Sequence, residues 1–341
     1  MHIFNDIVGQ EKAISFLENI LEHGTASHAY LFTGPDGVGK RTTAVSVAAA
    51  LNCAQDGCGS CAVCMKIKNG AHPDVESIKP AGNSLKIEQI REIGQSIGLK
   101  PFEGKRKVYI IEDAHLMTVE AANALLKNLE EPPAYAAFIL TAAGADSLLP
   151  TIRSRCQEVV FRAVPPRVIQ SVLLAAGAED DAAEIATALS GGSVGKAKRL
   201  VIGGAAGDIR AIILDRAAEI SEGSIIDVFA AKDALLPLAK EKDKGDGSSI
   251  EAEALAILGS WYRDLIVLRE TGNESLLINK DRASQLTLAA ERISSANAAA
   301  ALDILARAGD ALRTNANKDL VLEEALLAIN CMPPTVARLE G

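Results

Sequence analysis

At 341 residues, 48% of them hydrophobic and only 12 of them proline, the chain exceeds one ordinary domain, and two or three domains are expected. Its 35 basic against 44 acidic residues leave a net charge of −9, which excludes a broad nucleic-acid footprint over the whole chain, so any DNA contact has to be local or shared with partners. MHIFNDIVGQEKAI lacks a basic segment ahead of an apolar run, and no stretch of about eighteen apolar residues occurs, so no membrane association and a soluble, cytoplasmic protein are expected.

In chain order, His28 to Phe32 (HAYLF) is short, apolar and followed at once by GPDGVGK, and it reads as a buried strand entering a glycine turn. The alanine-rich TTAVSVAAALN after it predicts a helix. Strand, glycine loop and helix in that order make a phosphate site: Gly34 opens the loop, the amides of Gly37, Val38, Gly39 and Lys40 point at phosphate oxygens, and Lys40 adds positive charge near the outer phosphates. Arg41 stands where a magnesium-ligating hydroxyl ordinarily follows the lysine. It either points inward and adds a cation where the metal would sit, or points to solvent with Thr42 on the wrong helical face to compensate; both weaken the metal site.

CAQDGCGSCAVC sets Cys53, Cys58, Cys61 and Cys64 close enough to wrap one tetrahedral ion, and four thiolates with no open position make a closed structural zinc site. An iron–sulfur cluster uses similar spacing, but its usual flanking proline is missing, and zinc is preferred. Cys156 and Cys331 stand alone, so the pattern is no disulfide ladder, and His72 in AHPDV reads as a structural turn histidine outside the ligand set.

Ile87, Ile90, Ile93 and Ile97 fall on one face of a helix. Lys105, Arg106 and Lys107 form a solvated strand entrance to KVYIIED, a continuous apolar run that fits a central parallel strand. It closes on Glu112 and Asp113, the reverse of the order an ATPase wants, with an Asp for the metal and then a Glu for the attacking water. AANALLKNLEEPP is a helix stopped by Pro132 and Pro133, and FILTAA is another buried strand; the alternation predicts a parallel sheet with helices on both sides. In Ser154, Arg155 and Cys156, the arginine either pairs with a surface acid or reaches a γ-phosphate across a subunit boundary, and spacing alone does not decide. AVPP marks a boundary, after which short helical patterns predict a small helical domain. Strings such as IRAIILDRAAEI and IEAEALAILGSWYRDLIVL, broken by a solvated loop at KEKDKGDGSS, predict a third, all-helical domain. Trp261 and Tyr262 read as core or subunit-interface residues rather than a base-stacking platform.

FNDIVGQ, GPDGVGK, the four-cysteine block, NALLKNLEEPP and TIRSRC, in that order, resemble the bacterial clamp-loader subunits of DNA polymerase III, the delta-prime branch more closely than gamma/tau. GGSVGKAKRL, SWYRDLIVL and NKDLVLEEALLAI extend the likeness over nearly the whole chain. The resemblance implies an α/β AAA+ fold: a RecA-like parallel-sheet domain over 1–162 with a zinc module inserted at about 53–64, a helical lid over 163–205, and an all-α collar over 206–341. It implies gamma/tau and delta subunits as partners, and the sliding clamp and primer-template DNA through the assembled complex. Arg155 becomes the trans-acting arginine of a neighbour's ATP site, the four cysteines zinc ligands, and Phe4 to Gln10 the adenine side of the nucleotide pocket. Against active members, Arg41 replaces the hydroxyl, Glu112 and Asp113 are interchanged, Ala142 stands at a sensor threonine, and Gly195 at a sensing arginine. The expectation is a subunit that binds ATP without efficient hydrolysis and donates Arg155; the alternative is a working gamma/tau-like ATPase. A stand-alone zinc-dependent DNA-binding module is disfavoured by the acidic charge.

Overall fold

Ala29–Thr33 (β1) and Ala136–Ala142 (β4) are buried along their whole length, and Lys107–Ile111 (β3) along all but its first residue, in a computed structural model that describes residues 1–82, 84–202, 205–222, 224, 226, 228–230, 250–312 and 316–332. Strands buried on both faces belong to parallel sheets covered by helices on either side. The sheet has the order β2-β3-β4-β1-β5, with Val75–Ile78 as β2 and Gln157–Val160 as β5, and every pairing is parallel.

The strand period of two sorts the side chains between two cores. Leu31, Tyr109, Ile111, Phe138 and Leu140 pack with Ile90 and Ile93 of Ile87–Ser96 (α4) and with Leu125 and Leu129 of Val119–Glu130 (α5). Tyr30, Phe32, Val108, Ile110 and Ile139 pack on the other face with Leu17 of Glu11–Glu22 (α1), Val47 of Lys40–Asn52 (α2) and Ile67 of Ala62–Lys68 (α3). The Thr118 hydroxyl caps α5 by accepting from the Ala121 amide at 3.2 Å, and the helix ends at Glu130, just ahead of Pro132 and Pro133.

The strands read from the sequence are β1, β3 and β4. β2 and β5 carry no strand signal in the sequence, because they lie at the sheet edges and bury only Ile78 and Val159 respectively. α1 is absent from the sequence reading for a similar reason: it buries only Ala13 and Leu17.

Compactness divides the chain into Met1–Ile169 with Gly192–Gly195, which holds the sheet, and Gln170–Gly191 with Lys196–Gly341. The described part of the second unit is helical, including Asp180–Ser190, Ile250–Thr271, Ala283–Arg292, Ser295–Ala311 and Lys318–Asn330. Trp261 and Tyr262 are buried in its core with Leu258, Leu265, Leu286 and Leu326, so neither ring is free to stack on a base. The KEKDKGDGSS segment lies outside the described residues. Among the described residues no helix is long and apolar enough to cross a membrane.

Candidate nucleotide site and cysteine cluster

Gly34 turns the chain out of β1 at a φ of 142°, and a Cβ there would lie 2.2 Å from the Phe161 carbonyl oxygen, so the loop has to leave the sheet on a glycine. Gly37 and Gly39 also hold positive φ, and α2 starts at Lys40 directly after them. Lys40 is 6% exposed; its ammonium donates to the carbonyls of Gly34 and, at 2.9 Å, Pro35, and to Asp36 Oδ1 at 3.2 Å. Gln10 fastens the loop from the side, donating from Nε2 to the Val38 carbonyl at 3.3 Å and the Arg162 carbonyl at 2.7 Å, while its Oε1 accepts from the Arg162 amide at 3.1 Å. The Gly195 amide donates to the Gly37 carbonyl at 3.1 Å. Gly34, Gly37, Val38, Gly39 and Lys40 thus form one loop at the carboxyl end of β1, with Gln10 of FNDIVGQ and Gly195 of GGSVGK against it.

Arg41 follows neither of its two courses alone. It is 57% exposed, yet its Nε donates to Glu112 Oε1 at 2.8 Å, so the side chain reaches to the end of β3. The same oxygen accepts from the Ser77 hydroxyl at 2.6 Å and lies 3.8 Å from the Lys79 ammonium. Thr42 is exposed, and the Thr43 hydroxyl donates to the Gly39 carbonyl at 2.9 Å, so neither replaces the lost ligand. The fold implies a magnesium ion here, which needs oxygens at about 2.0–2.1 Å in octahedral array. The residues present do not fit it: the hydroxyl position is a guanidinium, and Glu112 is already bonded to that cation and to Ser77.

Asp113 sits in the left-handed region at φ 49°, and its amide donates to the Thr141 hydroxyl at 3.0 Å. Burial, and then the charge of Asp36, push its carboxyl above the ordinary range. Ala142, expected at a sensor threonine, is buried and level with Thr33 of β1; the hydroxyl at this edge belongs to Thr141, one residue earlier.

The four cysteines meet at the end of α2 and the start of α3, with all their sulfurs within 4.8 Å of one another. Cys53 lies 3.8 Å from Cys58 and 3.7 Å from Cys61. A tetrahedral ion with Zn–S bonds of about 2.3 Å spaces its sulfurs by about 3.8 Å, so the donor set fits a single zinc ion. The loop holds positive φ at Asp56, Gly57 and Gly59, and its amides meet the sulfurs, Gln55 N reaching Cys53 Sγ at 3.3 Å and Cys61 N reaching Cys58 Sγ at 3.4 Å. The amides of Ser60 and Cys61 bring the Cys58 thiol down to about 6, whereas burial pushes Cys64 up to about 12. His72 stays outside the cluster and accepts the Asp74 amide on Nδ1 at 3.1 Å. The basic entrance to β3 is solvated, with Lys105 exposed and Arg106 and Lys107 half-buried, and it also bonds to backbone carbonyls: Lys105 reaches Cys53 O at 3.1 Å, Arg106 Ala134 O at 2.8 Å and Lys107 Ser96 O at 2.7 Å.

Arg155 lies away from all of this. Gln157 pairs level with Tyr30, so Arg155 precedes β5 at the amino edge of the sheet, whereas the glycine loop lies past the carboxyl edge of β1. Its Nη2 donates to Glu130 Oε1 at 2.6 Å and its Nη1 to the Thr151 carbonyl at 2.9 Å. Ser77 and Lys79 are the neighbours of the site that sequence reasoning did not single out, and Gln10, expected on the adenine side with Phe4, fastens the loop instead. The first two follow from β2, whose edge position hid it, and Gln10 meets Arg162 only across 152 residues of chain.

A parallel sheet in this strand order, with a GxxxxGK loop between β1 and α2, defines a P-loop protein of the AAA+ class. A sequence profile for "DNA polymerase III, delta subunit" matches residues 9–165, and one for its C-terminal part matches 228–330. DNA polymerase III subunit delta' of Bacillus subtilis is 32% identical over 275 residues, 80% of this chain and 81% of the relative. Subunit tau of the same organism is 41% identical over 170 residues, 49% of this chain, and the chain spans only 30% of that relative's length. Among solved structures, a DNA polymerase III gamma subunit-related protein of Thermotoga maritima is similar at 20% identity and a TM-score of 0.48, covering 92% of this chain and 98% of the other. The chain belongs to the DNA polymerase III delta' family of clamp-loader subunits.

Proposed function

We propose that the chain acts within a DNA polymerase III clamp loader beside gamma/tau and delta subunits, helping to load the sliding clamp on primed DNA, and that it donates Arg155 to a neighbour's ATP site while turning over no ATP itself. The observation that carries this reading is the separation of Arg155 from its own loop. Between the level of Tyr30 and Gly34 lie about four strand residues, roughly 13 Å, before the loop begins. An arginine on that edge has no access to its own phosphates and is available to an adjoining subunit. Its present partner, Glu130, is 51% exposed, and exposed pairs of this kind contribute only about 0–1 kcal/mol, so a γ-phosphate competes readily for the guanidinium.

The absence of turnover is supported by Arg41, bonded to the carboxylate that a metal-dependent ATPase would keep for its cation. Nucleotide binding is supported by the glycine loop and Lys40. Zinc in the cysteine cluster then fastens the segment between α2 and α3, a structural role for which four thiolates leave no open coordination position. In this reading 1–162 is the nucleotide domain, 163–205 the lid and 206–341 the collar.

The test is reconstitution with the remaining loader subunits. Arg155→Ala should leave the chain folded and able to assemble, and should lower DNA- and clamp-stimulated ATP turnover at the affected site by about 10³-fold or more. Normal stimulated turnover would remove Arg155 from the mechanism. Hydrolysis by the isolated chain that Lys40→Ala abolishes would instead establish a working ATPase.

A further inference from the structure

The Arg41–Glu112 pair does more than spoil a metal site. Arg41 is the second residue of α2, and its bond to Glu112 carries the guanidinium from the β1 loop across the end of β4, which lies between β1 and β3 in the sheet, to the end of β3. That crevice at the carboxyl ends of parallel strands is where this architecture receives its ligand. The arginine therefore joins the two positions, the residue after the loop lysine and the first acid after β3, from which a P-loop site would hold its divalent cation. It bonds Glu112 through Nε, and the terminal nitrogens of the guanidinium are directed to none of the protein's described hydrogen-bond acceptors. A guanidinium presents a planar fork of N–H donors matched to phosphate oxygens, and one that is already paired through Nε keeps the outer edge of that fork for a second anion.

The pair also sets the local charge. Lys40, Arg41 and Lys79 bring positive charge to the mouth of the loop against Asp36, which pairs with Lys40, the half-buried Asp113, and Glu112, which is shared between Arg41 and Lys79 with the Ser77 hydroxyl on the same oxygen. At the position of the missing hydroxyl a divalent ion meets a fixed cation and a carboxylate already in use, whereas a polyphosphate meets that cation, the loop amides and Lys40, for which it competes with Asp36.

We infer that Arg41 is a built-in replacement for the divalent cation, so that this site takes a nucleoside triphosphate or diphosphate in its metal-free form. The inference rests on the nucleotide-binding reading above and fixes the ionic form of the ligand. A nucleotide held through Arg41 without metal lacks the divalent cation that neutralises charge during phosphoryl transfer, which makes the site one that senses or stores nucleotide structurally.

The experiment measures binding of ATP to the full chain by calorimetry, once with excess magnesium and once with EDTA after zinc has been loaded and shown to be retained. Wild type should bind no more weakly in EDTA than in magnesium, within about threefold. Arg41→Thr, a change at an exposed position that restores the hydroxyl, should bind about tenfold or more weakly in EDTA than in magnesium. Lys40→Ala should lose binding in both. Wild-type binding that requires magnesium overturns the inference and leaves the nucleotide reading standing. Metal-independent binding that survives unchanged in Arg41→Thr removes Arg41 from the role. Absence of ATP binding under both conditions overturns the nucleotide reading itself.

Discussion

At the scale of single residues, the site holds two acids at adjacent positions with opposite fates. Glu112 is paired with a guanidinium and a hydroxyl, whereas Asp113 is half-buried, near Asp36, and held in a left-handed conformation that glycine, asparagine and aspartate accept more readily than other residues. Because burial raises the folded-state pKa of Asp113, the folded protein binds its proton more tightly than the unfolded chain does. The ionised carboxylate therefore costs stability as pH rises, and that cost disappears below the unfolded value of about 3.9. Asp113→Asn should accordingly raise stability at pH 7, by on the order of 1 kcal/mol, with the gain over wild type fading as pH falls toward 4. Chemical denaturation at several pH values reads this directly; a variant less stable than wild type at pH 7 would show that the carboxylate is stabilised by a partner instead.

At the scale of elements, the segment that carries the cysteines is short and has little apolar surface of its own. α3 is seven residues long and buries Cys64 and Ile67, too little to hold it without help. Three further ties bind the neighbourhood: the Lys105 bond to the Cys53 carbonyl, the Asn52 side chain accepting the Arg106 amide at 2.9 Å, and Asp74 accepting the amides of Phe102, Glu103 and Gly104 at 2.7–2.8 Å. A zinc ion held by the four thiolates would supply the remaining order. Metal analysis should find about one zinc per chain, and Cys61→Ser or strong chelation should remove hydrogen-exchange protection from residues 53–68 while β3 and β4 keep theirs. Full protection of that segment without metal would make the cysteines simple packing residues.

For the whole molecule, the net charge of −9 decides how the chain can meet DNA. Phosphate contacts supply most non-specific affinity, and an acidic chain whose β3-entrance cations are bonded to its own carbonyls has little to offer alone. The isolated chain should show no DNA binding at about 0.15 M salt, whereas the assembled loader should bind primed DNA with a steep salt dependence. Fluorescence anisotropy with and without the other subunits separates the two, and salt-sensitive binding by the lone chain would favour a DNA-binding module.

The sequence by itself determined what depends on local pattern: central strands as apolar runs, the glycine loop by its spacing and its place between strand and helix, the helix end at Pro132, and the cysteine block, whose members lie within twelve residues. What it left open depends on residues distant in the chain. Arg41 meets Glu112 across 71 residues, Gln10 meets Arg162 across 152, and Arg155 is separated from its own loop only because parallel pairing sets Gln157 beside Tyr30. Edge strands escaped because a strand with one neighbour and one buried residue has no periodic signature, yet β2 is what brings Ser77 and Lys79 to the site. Local spacing encodes which groups are present; only the register of the sheet decides which of them share a crevice.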